Sequence, residues 1–451
     1  MNSRRTLEML GRYESRNVTF VDPDGGWPIV WAKAKGSHVW DVEGRKYLDL
    51  TAAFGVAAAG HANTAVVRAG QKQMATLLHA MGDVHPHPLK AELARELSRL
   101  TYERWAKIKD REGKTLRFPP QAKTIFCNSG FEAVEAALKT ALLATRRKGV
   151  IAFKGAYHGL GYGALNATHR EHFRKPFQGQ LGGFSHFVSF PLCGDCLCPK
   201  PGPCGGTEVA WREMERLLKQ NEIGAILVEP LQARGGINVP KPEFLRILRN
   251  LCDEFGALLI LDEVYTGFGR TGRMFACEHG GVVPDLICLG KALTGGFPLS
   301  ACVGRADLMD RAWPASNGEA IHTSTFLGHP VGCAMALAQL KELKRLKLSE
   351  RSAKLGKVLL AELGRISSKT LSLRVRGSGL MAGLEMRRAD GSPATAESLC
   401  IIKRLLHDGF IFLPEGEHAN VIGFTPPLTI SERDLRRSVN ALANALRTVD
   451  I

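Results

Sequence analysis

No apolar run in this chain approaches the length of a membrane-spanning helix. The segment from Met1 to Phe20 lacks the apolar core of a secretory leader and mixes Arg4 and Arg5 with Glu8 and Glu14. The expected location is therefore the cytoplasm, with no membrane partner. Long blocks of like charge are also missing. The 60 Lys and Arg residues are interspersed with 44 Asp and Glu, so the net charge of +16 reads as solubility and a pull on anionic ligands. No nucleic-acid-binding motif accompanies that charge, and nucleic acid is set aside as a partner. An odd count of 11 cysteines scattered through 451 residues suits reduced thiols better than a disulfide framework. Internal repeats are absent. What remains is ordinary for a soluble globular protein, 45% hydrophobic and 23% charged, and long enough for more than one domain.

Three short apolar runs each stop on an ionisable side chain. Ala225–Val228 leads into Glu229, Ala257–Leu261 into Asp262, and Leu286–Leu289 into Gly290 and Lys291. Such runs read as buried parallel strands. In open α/β sheets, ligands bind beyond the carboxyl ends of the strands. A solvated strand-end lysine is the ordinary reading of Lys291 alone. A Lys, an Asp and a Glu converging at one sheet edge change it. A lysine there can form a Schiff base, and an Asp can pair with a pyridinium nitrogen, the chemistry that pyridoxal phosphate needs.

Taken in order, the chain supports this placement. Val30 to Leu50 reads as a β-meander with turns at Gly36 and Gly44. Strand Thr124–Cys127 feeds Asn128-Ser129-Gly130-Phe131-Glu132 and a helix to about Arg146. Ser129 and Glu132 have capping-box spacing, and a small-residue loop at a helix N-terminus suits a phosphate. Strand Gly149–Phe153 precedes Tyr157-His158-Gly159, where an aromatic can stack on a flat ring. Helix Glu243–Phe255 and the glycine-rich Thr266–Gly272 complete a βαβ alternation, which means a parallel sheet covered by helices. Between Pro191 and Thr207, Cys193, Cys196, Cys198 and Cys204 lie in a Pro- and Gly-rich loop. Its single C-x-x-C has no second pair, so it reads as a surface insertion with free thiols rather than a metal site.

These blocks resemble the class III, ornithine/4-aminobutyrate type, pyridoxal-phosphate aminotransferases of fold type I. The resemblance is carried by Asn128–Ala133, Tyr157-His158-Gly159, Glu229-Pro230-Leu231-Gln232, Asp262–Arg270, Gly290–Leu293 and His322–Phe326, in order, and spans nearly the whole chain. It implies an α/β fold with a large, mostly parallel sheet domain over 56–330. A smaller α+β domain would be drawn from 1–55 and 331–451. It implies that Lys291 forms the Schiff base and shuttles a proton, and that Asp262 pairs with the pyridine nitrogen. Ser129 and Gly130 would hold the phosphate, Tyr157 would stack on the ring face, Phe131 and His158 would also bind the cofactor, and Glu229 would orient groups beneath the active site. Thr325 would reach the phosphate of a neighbouring subunit, making a homodimer or a dimer of dimers.

Departures from the pattern bear on substrate. Tyr265 stands where a Gln often contacts the cofactor's phenolic oxygen. The Gly-Glu that follows the E-P-x-Q block in the ornithine branch is Ala233-Arg234. The carboxylate-gripping arginine positions of the two branches are Gly423 and Leu160. Arg234 is the candidate replacement, since a guanidinium suits bidentate carboxylate recognition; a salt-bridged arginine is the competing reading. The expected activity is ping-pong transfer of an amino group from an amino acid, ω-amino acid or amine to a 2-oxo acid. A racemase, epimerase or lyase on the same scaffold is the alternative, and a metal-binding protein the alternative of another class.

Overall fold

The computed structural model describes residues 2–23, 25–107, 121–191 and 205–447. The cysteine loop from Cys193 to Cys204 lies outside them. The meander forms as expected, as β1 (Trp31–Lys35), β2 (His38–Asp41) and β3 (Lys46–Asp49). β4 (Ala122–Cys127), β5 (Gly149–Phe153), β6 (Ser185–Val188), β7 (Ile223–Val228), β8 (Leu258–Asp262), β9 (Leu286–Leu289) and β10 (Ser300–Arg305) build one sheet. Its order is β4-β10-β9-β8-β7-β5-β6, with β10 antiparallel to both neighbours and the other pairs parallel.

The apolar runs are continuous because this sheet is covered on both faces. Side chains alternate between the faces. Ile226, Leu259, Leu261, Ile287 and Leu289 join Phe244, Leu248 and Leu251 of the helix Glu243–Phe255 in one core. Ala225, Leu227, Leu258, Ile260, Leu286 and Cys288 join Val134, Ala137 and Leu138 of the helix Gly130–Thr145 in the other. Each large aliphatic side chain so buried contributes about 1.5–3 kcal/mol. The sheet is thus a rigid slab, and what grows from its edge is held in place.

β11 (Ser372–Ser378), β12 (Met381–Arg387), β14 (Leu413–Glu415) and β15 (Val421–Phe424) form an antiparallel sheet, and β13 (Phe410–Ile411) pairs in parallel with β3. The chain's first and last parts therefore share a sheet. The glycine-rich stretch after Asp262 is tied to this region by Arg270. Its fully buried guanidinium donates to the carbonyls of Leu380 at 3.0 Å and Pro426 at 2.5 Å. Among the described residues, no helix is long and apolar enough to cross a membrane.

Candidate active site

β4, β5, β7, β8 and β9 run in one direction, so their C-terminal ends share an edge. From that edge come Ser129, Tyr157, His158, Glu229, Asp262 and Lys291. A cavity of about 450 Å³ opens there, and its walls include Gly130, Phe131, Leu160, Arg234 and Tyr265 together with all of these but Ser129. The close approach of two walls requires a glycine. At Gly159, with φ +113°, a Cβ would stand 2.2 Å from Phe131 Cβ.

Lys291 follows β9 in a left-handed backbone conformation, φ +34°. Its Nζ lies 4.5 Å from the centre of the Tyr265 ring. Desolvation lowers the pKa of the ammonium, against the attraction of Asp262, Glu229 and Glu415. The free amine, which is the nucleophile, is thereby favoured. Asp262 is buried and held from two sides. His158 Nδ1 lies 2.8 Å from Oδ2, and the Val264 N–H donates to Oδ1 at 3.1 Å. His158, expected from the resemblance to bind the cofactor, thus has its Nδ1 on the Asp262 carboxylate. Glu229 accepts the N–H groups of Tyr157 and Ala233, each at 3.0 Å, and so ties together the loops that carry Tyr157 and Arg234. Burial pushes its carboxyl up to about 7.

The helix Gly130–Thr145 opens at the same edge. Glu132 closes its half of the capping box, accepting the N–H groups of Asn128 at 2.6 Å and Ser129 at 2.9 Å. The Ser129 hydroxyl is buried with no hydrogen-bond partner among the described residues. An orphaned hydroxyl beside a helix N-terminus fits an anion, and a phosphate in particular. With the desolvated amine of Lys291, the buried Asp262 carboxylate and the flat face of Tyr157, the donor set fits pyridoxal phosphate.

Arg234 lines the cavity and also makes an ion pair, Nη1 to Glu415 Oε2 at 3.0 Å. The salt-bridged reading of this arginine therefore describes it, at the cavity wall. Sequence reasoning missed Glu415, which sits on the three-residue β14 outside every motif. It also missed Arg170, which lies near Tyr157. The Tyr265 hydroxyl lies 3.2 Å from Thr425 Oγ1, and burial pushes its pKa up to about 12. Thr325 is exposed and is not among the residues lining the cavity of this chain.

Comparison with known proteins agrees with this geometry. The sequence profile of the family Aminotransferase class-III matches residues 21–446. A 5-aminovalerate aminotransferase of Pseudomonas aeruginosa is 37% identical, over 92% of this chain and 93% of its own length. An acetylornithine aminotransferase of Methanosarcina mazei is 34% identical, over 96% and 98%. An amine transaminase from an uncultivated Pseudomonas species, solved with pyridoxal phosphate bound, superposes with a TM-score of 0.85. It is 27% identical and covers 97% of this chain and 98% of its own. The fold is thus fold type I, and the racemase, lyase and metal-binding readings are not favoured. With the family matched over nearly its whole length and a relative 37% identical, the chain belongs to the class III aminotransferases and is a pyridoxal-phosphate-dependent enzyme.

Proposed function

We propose that this enzyme takes an amino group from an ω-amino acid or a simple amine and delivers it to a 2-oxo acid. The observation that carries this reading is the desolvated Lys291 amine sharing one cavity with the His158-supported Asp262 carboxylate. Bound pyridoxal phosphate supplies an electrophilic carbonyl for the incoming amine and a ring that takes up the electron pair released at the donor's carbon. The protein does the rest. Asp262 would keep a proton on the ring nitrogen, and His158 orients Asp262. Ser129 and Gly130 would hold the phosphate, and Tyr157 would lie against the ring. Lys291 Nζ takes the proton from the donor's amine-bearing carbon. Glu229 positions Tyr157 and Arg234, and Tyr265 holds the lysine amine over its ring face.

The 37% identical relative named for 5-aminovalerate and the amine transaminase structure support an ω-amino acid or amine donor. The exposed apolar Leu160 at the cavity mouth supports it as well. The exposed position of Thr325 is in keeping with a role across a homodimer interface, and the same reading takes 1–55 and 331–451 as the smaller domain, 56–330 as the larger, and the cytoplasm as the location. The test is to incubate the holoenzyme with 5-aminovalerate and 2-oxoglutarate and to assay glutamate by chromatography. Glutamate formed in step with donor loss is expected. Glutamate absent with every ω-amino acid and amine offered would refute the reading.

A further inference from the structure

Tyr265 forms part of the cavity wall, and its hydroxyl is already engaged there. The hydroxyl lies 3.2 Å from Thr425 Oγ1, and Thr425 donates to the Thr51 carbonyl at 3.3 Å. A threonine hydroxyl has one proton to give. That proton goes to Thr51, so Tyr265 is the donor to Thr425. What Tyr265 presents to Lys291 is its ring, with Nζ 4.5 Å from the ring centre. The negative face of an aromatic ring attracts an ammonium, and more strongly where water is excluded.

The ring has room because residue 55 is a glycine. A Cβ there would stand 2.8 Å from Tyr265 Cε1 and 3.2 Å from Cδ1, at a φ of +81°. The turn that carries Gly55 is left-handed throughout, with φ +48° at Ala52, +49° at Ala53 and +61° at Phe54. L residues adopt that conformation only where their surroundings enforce it. Here the buried Asp49 carboxylate accepts from the Thr51 N–H at 2.8 Å, the Thr51 hydroxyl at 2.6 Å and the Ala53 N–H at 3.2 Å. His61 Nε2 lies 2.7 Å from its other side. Thr51 thus serves twice. Its N–H and hydroxyl fix the turn, and its carbonyl fixes Thr425 and through it Tyr265.

We propose that the Tyr265 ring, seated in the space that Gly55 leaves open, is the resting place of the Lys291 amine, holding it at one point of the cavity whenever it is free and stabilising it while it carries a proton. Tyr265 is thus a positioning residue that acts through Lys291. This deepens the reading above of Lys291 as the Schiff-base lysine and rests on it. Asp262, Glu229 and Glu415 also favour the charged amine, while desolvation and Arg234 oppose it. Removal of the ring leaves those groups in place, so the amine then loses its proton at lower pH.

The test is the pH dependence of cofactor capture by the full chain, stripped of cofactor and mixed with saturating pyridoxal phosphate. Capture joins Nζ to the aldehyde carbon and releases the aldehyde oxygen as water, so it requires the unprotonated amine. Growth of the lysine-bound absorbance band gives the rate, and the cofactor's own ionisations are common to all variants. In Tyr265→Leu, which keeps an apolar side chain but no ring face, the midpoint of the rate with pH is expected to fall by roughly half a unit to one unit. Tyr265→Phe keeps the ring and is expected to keep the midpoint. Gly55→Ala displaces the ring and is expected to lower the midpoint as Tyr265→Leu does. Adding Gly55→Ala to Tyr265→Leu is expected to lower it no further. A midpoint unmoved in Tyr265→Leu, or moved equally in Tyr265→Leu and Tyr265→Phe, would overturn the proposal. Additive shifts from Gly55→Ala and Tyr265→Leu would remove Gly55 from it. Should Gly55→Ala fail to fold, the comparison of Tyr265→Leu with Tyr265→Phe decides. Capture needs neither donor nor acceptor, so a chain that captures the cofactor as described, yet aminates no 2-oxo acid, would overturn the transaminase reading alone.

Discussion

The two ends of the cavity are built on different principles. At the cofactor end every charged group is fixed by the central sheet. Lys291, Asp262 and Glu229 leave adjacent strands β9, β8 and β7, and Asp262 and Glu229 are each held by two hydrogen-bonding partners. At the substrate end, the charges sit on loops and on the short β14. There Arg234 pairs with Glu415, a contact between two groups of the protein itself. The chemistry of the cofactor leaves little freedom at the first end, and substrate choice can be written at the second. Asp262 and Glu263 repeat the contrast within two residues. Successive strand residues face opposite ways, so Asp262 meets the cavity. Glu263 points away, fully buried, and accepts from Thr266 Oγ1 at 2.9 Å and the N–H groups of Ala276 at 2.7 Å and Cys277 at 2.8 Å.

The sharpest way to break this contrast is at Lys291. Lys291→Ala is expected to lower turnover by a factor on the order of 10⁴–10⁶, measured as amino acid formed per enzyme. Asp262→Asn keeps the shape and removes the charge. It is expected to cost on the order of 10²–10³ in kcat, with the acceptor's KM little altered. Glu263→Gln tests the structural carboxylate. An amide cannot serve all three donors, so stability is expected to fall by about 1–3 kcal/mol in thermal unfolding at neutral pH. Burial pushes Glu263 up to about 7, so its stabilising effect is full below the ordinary carboxylate range and is lost as pH rises through about 7. The gap between wild type and Glu263→Gln is therefore expected to narrow from pH 5 to pH 8. The smallest effect is expected for Tyr265→Phe, which removes only the contact to Thr425. A change in kcat/KM of about 2–10-fold corresponds to one hydrogen bond of about 0.5–1.5 kcal/mol.

Much of the cofactor end was legible in the sequence because each residue lies at a fixed offset from an apolar run or a helix start. Glu229 follows β7, Asp262 closes β8, and Ser129 precedes the helix Gly130–Thr145. Local patterning carries that information. The substrate end depends on chain segments far apart. Glu415 reaches Arg234 across 181 positions, and only the register of β14 against β15 brings it beside Gly423. Arg170 reads as one basic residue among several, since its place beside Tyr157 and Phe173 exists only in three dimensions. His158 shows a third case. Its place after Tyr157 was plain, but its Nδ1 contact to a carboxylate 104 positions away was not. The joining of β3 to β13 was implied only by the resemblance, since neither two-residue β13 nor its parallel pairing leaves a periodic signal.

The measurement that bears most directly on the central claim is the absorbance of the holoenzyme during titration with 5-aminovalerate, with no 2-oxo acid present. The account predicts that the band of the lysine-bound cofactor falls as the donor is consumed in one equivalent per site, and that a 2-oxo acid added afterwards restores it. A band that stays unchanged with 5-aminovalerate and with every other ω-amino acid and amine, in an enzyme that has bound the cofactor, would contradict it.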